Sequence, residues 1–180
     1  MRVLVVVASQ TGRTARMAEA FAEAAGEAGA DAVLQRAEEA GERDVLEADA
    51  LVLGSGVHMG GVESSMRAFC ERLSPAWMRG ALVGKLGAAF VSAGAGGRGG
   101  GELALISLWA NLAEHGLLMV PMHNRLEGFG HAGCHWGPLA WTNPRERVPG
   151  PTSEHLVAVR SHARWLVECA ARWQRGIAPG

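Results

Sequence analysis

Residues 3–21 read VLVVVASQTGRTARMAEAF and combine an unbroken apolar run, a short polar turn and an amphipathic pattern. The apolar run predicts a buried strand, and the spacing of apolar residues after Arg13 predicts a helix. A strand that stops near Ser9 and a helix that starts near Arg13 leave several backbone N–H groups without partners at one point. Such a turn suits an anion, although an ordinary strand-to-helix turn has a similar sequence.

The composition limits the classes to which the protein can belong. With 180 residues and 48% apolar content, we expect a single domain over residues 1–180. A net charge of −1 indicates neither a nucleic-acid-binding surface nor an acidic docking surface. No stretch approaches the ~20 apolar residues of a membrane span, and no signal-peptide pattern is present. We therefore expect a cytoplasmic protein, and three widely spaced cysteines without a C-x-x-C pair predict reduced thiols.

Short apolar segments alternate with one-sided helical patterns along the chain. The predicted strands are Arg2–Ala8, Ala32–Arg36, Ala50–Ser55, Leu86–Ser92 and Leu117–Pro121. The predicted helices are Arg13–Ala28, Glu63–Leu73, Glu102–His115 and a C-terminal helix from about Leu156 to Trp173. This alternation is typical of a doubly wound α/β fold, in which helices cover both faces of a parallel sheet. Met122–Pro151 lacks clear periodicity and is expected to form a long irregular loop.

Segments rich in glycine or hydroxyl groups follow three of the predicted strands. They are Ser9–Thr14, Gly54–Gly61 and Ser92–Gly101. Ligands of doubly wound sheets bind outside the carboxyl ends of the strands, so the three segments are expected to meet at one edge. The first segment offers three hydroxyls, a glycine and the Arg13 guanidinium at a helix N-terminus, which favours a phosphate.

Two other phosphate-binding motifs fit the sequence less well. Gly54-Ser55-Gly56 resembles part of a dinucleotide fingerprint, but it follows the third strand and its third glycine is displaced. The first loop has no lysine, and the nucleoside-triphosphate motif G-x-x-x-x-G-K-[ST] does not occur. A monophosphate group is therefore the favoured occupant.

Two parts of the chain resemble a known family. The order of strand, Ser9-x-Thr11-Gly12-x-Thr14 and helix is similar to the FMN-phosphate loop of the flavodoxin superfamily. Residues 66–121, MRAFCERLSPAWMRGALVGKLGAAFVSAGAGGRGGGELALISLWANLAEHGLLMVP, resemble the middle of the WrbA-type NAD(P)H:quinone oxidoreductases. The resemblance covers most of residues 1–121. It implies a flavodoxin-like, five-stranded parallel sheet in the order 2-1-3-4-5, with helices on both faces.

The resemblance also implies which residues hold FMN. The phosphate would lie on Ser9, Gln10, Thr11, Gly12, Arg13 and Thr14. The isoalloxazine would lie between two further groups, Val57, His58, Met59 and Gly60 on one side and Ser92, Ala93, Gly94, Ala95, Gly96 and Gly97 on the other. Trp77 and His115 match family residues at the substrate site.

The function implied by this resemblance is transfer of two electrons from NAD(P)H to a quinone or a similar acceptor. No side chain of the protein is required as a catalytic acid, because the flavin supplies the chemistry. Two alternatives remain open: a flavodoxin-type electron carrier, and a flavodoxin-fold regulatory or scaffold protein. The family also implies a homo-oligomer, a dimer or tetramer, and Phe129, Trp136, Leu139 and Trp141 would supply apolar material for its contacts.

The sequence departs from the family pattern at several places. Gly56 stands where the family usually has proline, and His58-Met59 stands where it usually has Arg-Phe. Glu114-His115 stands where the family has a His-His pair, and the resemblance implies a contact with the cofactor site for the first residue of that pair. The cluster His131, Cys134 and His135 has roughly metal-ligand spacing, with only His123 near it as a fourth ligand. We interpret this cluster as loop residues or a wall of the flavin pocket, with no metal.

Overall fold

The computed structural model describes residues 1–94, 100–141 and 150–177. Strands and helices alternate through most of the chain. The strands are β1 (Arg2–Ala8), β2 (Asp31–Arg36), β3 (Ala50–His58), β4 (Gly61–Val62), β5 (Leu86–Ala93), β6 (Leu118–Met119), β7 (Gly133–Cys134) and β8 (Gly137–Trp141). The helices are α1 (Arg13–Glu27), α2 (Glu42–Glu47), α3 (Ser64–Arg72), α4 (Ser74–Met78), α5 (Gly100–Glu114), α6 (Phe129–Ala132) and α7 (Ser153–Ile177).

The central sheet runs in the order β2-β1-β3-β5-β8, and all of these neighbours are parallel. When the long strands are counted along the chain, this is the predicted order 2-1-3-4-5, and the flavodoxin-like α/β fold is confirmed. The inner strands β1, β3 and β5 are buried almost throughout, which explains their continuous apolar sequences.

Helices cover both faces of the sheet and create two apolar cores. On one face, α1 and α7 bury side chains such as Met17, Phe21 and Leu166 against the sheet. On the other face, α3 and α5 bury side chains such as Phe69 and Leu105. Within the described residues, no helix is long and apolar enough to cross a membrane.

The fifth strand position differs from the prediction, because two separate segments occupy it. The predicted strand Leu117–Pro121 is only the two-residue β6, which pairs with the start of β5 through Leu86 and Leu118. The end of β5 pairs instead with β8, through Val91 and Leu139. Five residue steps along β5 thus correspond to 21 steps along the neighbouring chain, from Leu118 to Leu139. An inserted segment interrupts the fifth strand.

The prediction of an irregular loop over Met122–Pro151 was therefore wrong for the part that the structure describes. It contains α6, β7 and β8, and Leu139 is buried in the sheet. Gly137 begins β8 at φ +131°, and a Cβ built there would lie 2.0 Å from the Ala89 carbonyl oxygen. This close backbone approach requires glycine. Because glycine is more typical of loops than of strands, the sequence of this segment resembles a loop, although the segment enters the sheet.

Candidate flavin-binding site

A cleft opens at the carboxyl ends of β1, β3 and β5, where the sequence predicted a ligand site. Its volume is about 150 Å³ among the described residues, and it is lined by Gln10, Thr11, Arg13, Thr14, Gly56, Val57, His58, Ser92, Ala93 and Gly94. The structure therefore brings together the three predicted segments. The predicted residues Ala95, Gly96 and Gly97 lie outside the described part of the chain.

The N-terminus of α1 forms one end of the cleft. Gly12 precedes the helix at φ +79°, a conformation that favours glycine, and no atom lies within 4 Å of the position of its missing Cβ. The Ala15 N–H donates to the Ser9 hydroxyl over 3.1 Å, so Ser9 supports the turn itself. Among the described residues, the N–H groups of Arg13 and Thr14 have no hydrogen-bond acceptor. These groups carry the positive end of the helix dipole.

Two buried hydroxyls connect this turn to the opposite side of the cleft. Thr14 Oγ1 lies 2.7 Å from Ser92 Oγ, and both residues are almost fully buried. Because one residue is on α1 and the other is at the end of β5, the hydrogen bond fixes the distance between two of the three segments. The floor of the cleft is therefore held in place by the protein alone.

The third segment is a β-hairpin made by β3 and β4. His58 pairs with Gly61, and Met59 and Gly60 form the turn between them with φ of +48° and +84°. Positive φ is costly for a methionine, and the Met59 side chain is fully exposed beside the cleft. This turn carries two of the four residues, Met59 and Gly60, that were predicted to lie on one side of the isoalloxazine.

Two of the positions at which the sequence departs from the family pattern, 56 and 58, lie next to each other in the structure. A Cβ on Gly56 would lie only 3.0 Å from His58 Nε2, so the imidazole occupies room that a side chain at position 56 would need. Glycine at 56 and histidine at 58 therefore fit one another. The sequence showed both substitutions but not their contact, because the two side-chain positions meet only in the hairpin.

A buried carboxylate behind His58 was not predicted as a site residue. Glu63 is 3% exposed and connects β4 to α3. Its N–H donates to Ser55 Oγ over 2.9 Å, and its Oε1 accepts from Ser65 Oγ over 3.1 Å. Its Oε2 lies 3.7 Å from His58 Nε2 and has no hydrogen-bond partner among the described residues. Periodicity places an acid here at the start of a helix, and nothing in that pattern shows its burial.

Trp77 and His115 lie together, but in a different cavity. This cavity has a volume of about 390 Å³ and lies between α3, α4 and α5; Trp77, His115, Asn111 and Cys70 are among its lining residues. Among the residues that the structure describes, it shares no lining residue with the cleft. Burial lowers the pKa of His115, although the nearby Glu114 opposes that effect. His115 Nδ1 and Asn111 Oδ1 are buried without hydrogen-bond partners in the described structure.

The histidine and cysteine cluster is dispersed around the inserted segment. His131 and Cys134 line a third cavity, whereas His135 Nδ1 lies 3.0 Å from the Met122 carbonyl oxygen. Burial raises the pKa of the Cys134 thiol, which donates to the Gly137 carbonyl. His123 packs its ring edge-on against Trp165. Within residues 1–94, 100–141 and 150–177, no three of the His, Cys, Asp and Glu side chains are grouped as metal ligands.

The aromatic residues of the insert pack largely on their own chain. Trp109 Nε1 donates to the Trp136 carbonyl over 2.6 Å, and the two rings meet edge-on at 5.5 Å. Trp141 packs against His155, and Phe129 is partly buried. Of the four residues expected to contact a second subunit, Trp136 is the one with a largely exposed side chain, at 45%.

Comparison with known proteins gives the same fold and a family. Residues 4–86 match the model of the flavodoxin domain. The chain is 36% identical to an NAD(P)H dehydrogenase (quinone) from Methylocella silvestris, over 95% of this chain and 98% of the relative. It is 30% identical to a protein of the same name from Geotalea uraniireducens, over 97% and 100% of the two chains.

Solved structures also resemble the fold. The flavodoxin, WrbA-like protein from Agrobacterium tumefaciens aligns with a TM-score of 0.72 at 24% identity, over 95% of this chain and 98% of that one. The relatives from Methylocella silvestris and Geotalea uraniireducens are similar to this chain over nearly their whole length. The chain therefore belongs to the flavodoxin-like NAD(P)H dehydrogenase (quinone) family.

Proposed function

We propose that this protein is an FMN-binding oxidoreductase that transfers two electrons from NAD(P)H to quinones or similar acceptors. The observation that carries the proposal is the cleft itself, in which a helix N-terminus, a β-hairpin and the end of β5 converge at the carboxyl edge of the sheet. The relatives' name, NAD(P)H dehydrogenase (quinone), supplies the donor and the acceptor class.

The residues of the cleft fit an FMN phosphate. The N–H groups of Arg13 and Thr14 are without acceptors in the described structure, and the Arg13 side chain is exposed at the same place. The open space beside Gly12 allows a phosphate oxygen to approach the backbone. We assign the phosphate to Ser9–Thr14 and the ring to the region between the hairpin and Ser92–Gly94.

When bound, FMN supplies the hydride and electron chemistry. The protein then has three tasks, each of which has a structural basis. The turn at Gly12 would bind the phosphate and the hairpin would border the ring, while the Thr14–Ser92 hydrogen bond fixes the spacing of the segments. Small residues such as Ala93 and Gly94 at the cleft would let backbone groups approach the ring without a bulky side chain.

We also propose that the working site is shared between subunits of a homo-oligomer. Trp77 and His115 line a described cavity other than the cleft, so we infer that they act at the substrate site of a neighbouring copy. A second copy would place this cavity over the open side of the cleft. Light scattering should show a dimer or tetramer, and Trp77→Ala should raise the KM for quinone. A fully active monomer would contradict the shared site.

The electron-carrier alternative predicts a different partner. Carrier proteins dock through strong charge complementarity, whereas this chain has a net charge of −1 and a half-exposed Trp77 that lines a cavity of about 390 Å³. We further propose a cytoplasmic location, which the three free cysteines support.

The decisive experiment is a visible spectrum of the purified protein, followed by turnover with NADH or NADPH and benzoquinone. We expect the absorption bands of oxidised FMN and sustained quinone reduction. FMN binding without quinone turnover would favour the carrier, and the absence of FMN binding would favour the scaffold protein.

A further inference from the structure

His58 and Glu63 place a buried carboxylate beside a partly exposed imidazole, and the proposed function gives this pair no role. Glu63 is a carboxylate with a side-chain exposure of 4%, whereas the imidazole of His58 is 38% exposed and lines the cleft. Burying a carboxylate is costly unless both oxygens have partners. Glu63 Oε1 accepts from the Ser65 hydroxyl, whereas Oε2 has no hydrogen-bond partner among the described residues and lies 3.7 Å from His58 Nε2.

Histidine at the cleft is suited to proton transfer. A free imidazole gains and loses a proton near neutral pH, and a carboxylate on one ring nitrogen fixes which nitrogen carries the proton. We propose that His58 donates a proton to the quinone acceptor and that Glu63 is the residue that positions it. This proposal rests on the proposed function, since it assigns a residue of that same site.

The proton balance of quinone reduction leaves a role for such a donor. Forming a hydroquinone takes two electrons and two protons, and NAD(P)H supplies both electrons with one proton. The second proton would come from Nδ1 of the His58 imidazolium: the N–H bond breaks as an O–H bond forms on the acceptor. Nε2 would keep its proton beside Glu63 Oε2, which lies 3.7 Å away, and solvent would return the proton to Nδ1 of the partly exposed ring.

Few other charged groups face this imidazole in the described structure. Arg13 is the other charged residue among those lining the cleft. Glu102 lies in the first turn of α5, whose N-terminus packs on the hairpin, but Glu102 lines the separate cavity of His131 and Cys134. Arg13 cannot act as a proton donor near neutral pH, because a guanidinium does not release its proton there.

The test compares two oxidants of the FMN-loaded, NAD(P)H-reduced protein by rapid mixing. Benzoquinone needs protons to complete its reduction, and ferricyanide takes electrons without protons. We expect His58→Gln to slow the benzoquinone reaction roughly 100-fold and Glu63→Gln roughly 10-fold at pH 7. Both variants are measured at saturating FMN, and in each the benzoquinone rate should fall relative to the ferricyanide rate by these factors. Glu19→Gln, which removes an exposed carboxylate on α1, is the matched control and should change neither rate.

A second readout does not depend on turnover. Nitrogen NMR of the apoprotein should show the Nε2–H form of the His58 ring in the wild type and a mixture of both forms in Glu63→Gln. The apparent Kd for FMN should stay within about threefold in Glu63→Gln, because Glu63 does not line the cleft, and His58→Gln is compared at saturating FMN.

The possible outcomes distinguish the proton-donor role of His58 from a structural role in the flavin site. Equal slowing with both oxidants, or loss of FMN binding in His58→Gln, would mean that His58 shapes the flavin site, and it would overturn the proton-donor role. Unchanged benzoquinone rates in a protein that still turns over would overturn the role of the pair and leave the proposed function intact. A wild type that does not bind FMN would overturn both.

Discussion

Acidification should destabilise this protein through one buried histidine, His162 on α7. The side chain is fully buried, its Nε2 lies 2.8 Å from the Val120 carbonyl oxygen, and its Nδ1 has no hydrogen-bond partner among the described residues. The ring also packs edge-on against Phe21. Burial lowers the pKa of His162 from about 6.5 to about 4, the Val120 carbonyl opposes this, and the nearby His123 adds to it.

The folded and unfolded chains differ in whether His162 binds a proton between pH 4 and pH 6.5. Below pH 6.5 the unfolded chain binds a proton at residue 162 that the folded chain excludes, so the free energy of unfolding falls as the pH falls towards 4. The pKa difference corresponds to a loss of about 2 kcal/mol between pH 7 and pH 5, and of about 3 kcal/mol by pH 4. This is a large fraction of the stability of an ordinary domain.

Urea unfolding of the wild type and of His162→Gln at a series of pH values would measure this loss. Glutamine can still donate to the Val120 carbonyl but does not titrate, so its curve should lose less stability on acidification, by about 2 kcal/mol at pH 5. Groups shared by both proteins, including His115 and His155, whose pKa values burial also lowers, cancel in the difference. Parallel stability curves, or a His162 ring that titrates near pH 6.5 in the folded protein, would show that His162 does not cause the loss of stability at low pH.

Three further predictions concern the cleft and the sheet. Gly12→Val should weaken FMN binding at least roughly tenfold in a fluorescence titration, because valine resists φ +79°, whereas Gly12→Asn should bind nearly normally; equal affinities would remove the turn from the site. Gly137→Ala should lower the free energy of unfolding by more than about 2 kcal/mol because its Cβ would meet the Ala89 carbonyl, whereas the unobstructed control Gly130→Ala should be neutral; similar urea midpoints would contradict the position of β8. Steady-state kinetics should be ping-pong if the nicotinamide and the quinone use the same open side of the cleft in turn, and intersecting reciprocal plots would show instead that both bind together.

The central sheet could be predicted from the sequence because its information is local. β1, β3 and β5 are continuous apolar runs followed by polar turns, and their order followed from the family resemblance. β8 could not be predicted, since its place is set by pairing with Val91 across a long insertion and its sequence contains Gly137 and Pro138. Strand pairing at that distance leaves no periodic signal.

The cleft was predictable to a similar extent. The segments that line it follow strands, and the carboxyl edge of a parallel sheet collects such segments by geometry. The contact between His58 and Glu63 was not predictable, because it requires the hairpin turn at Met59, a residue type that rarely adopts positive φ. The separation of Trp77 from the cleft was also not predictable from the sequence, because the packing of α3 and α4 sets the direction in which that side chain lies.

The segment between the two halves of the divided fifth strand can gain or lose residues during evolution or by design. The two halves of that strand are anchored separately, β6 at Leu86 and β8 at Val91, so residues gained or lost between them alter neither register. The cleft depends on the end of β5 and on the hairpin, and neither is covalently adjacent to the insertion. A relative could exchange this segment for one with a new binding preference and keep its flavin site unchanged.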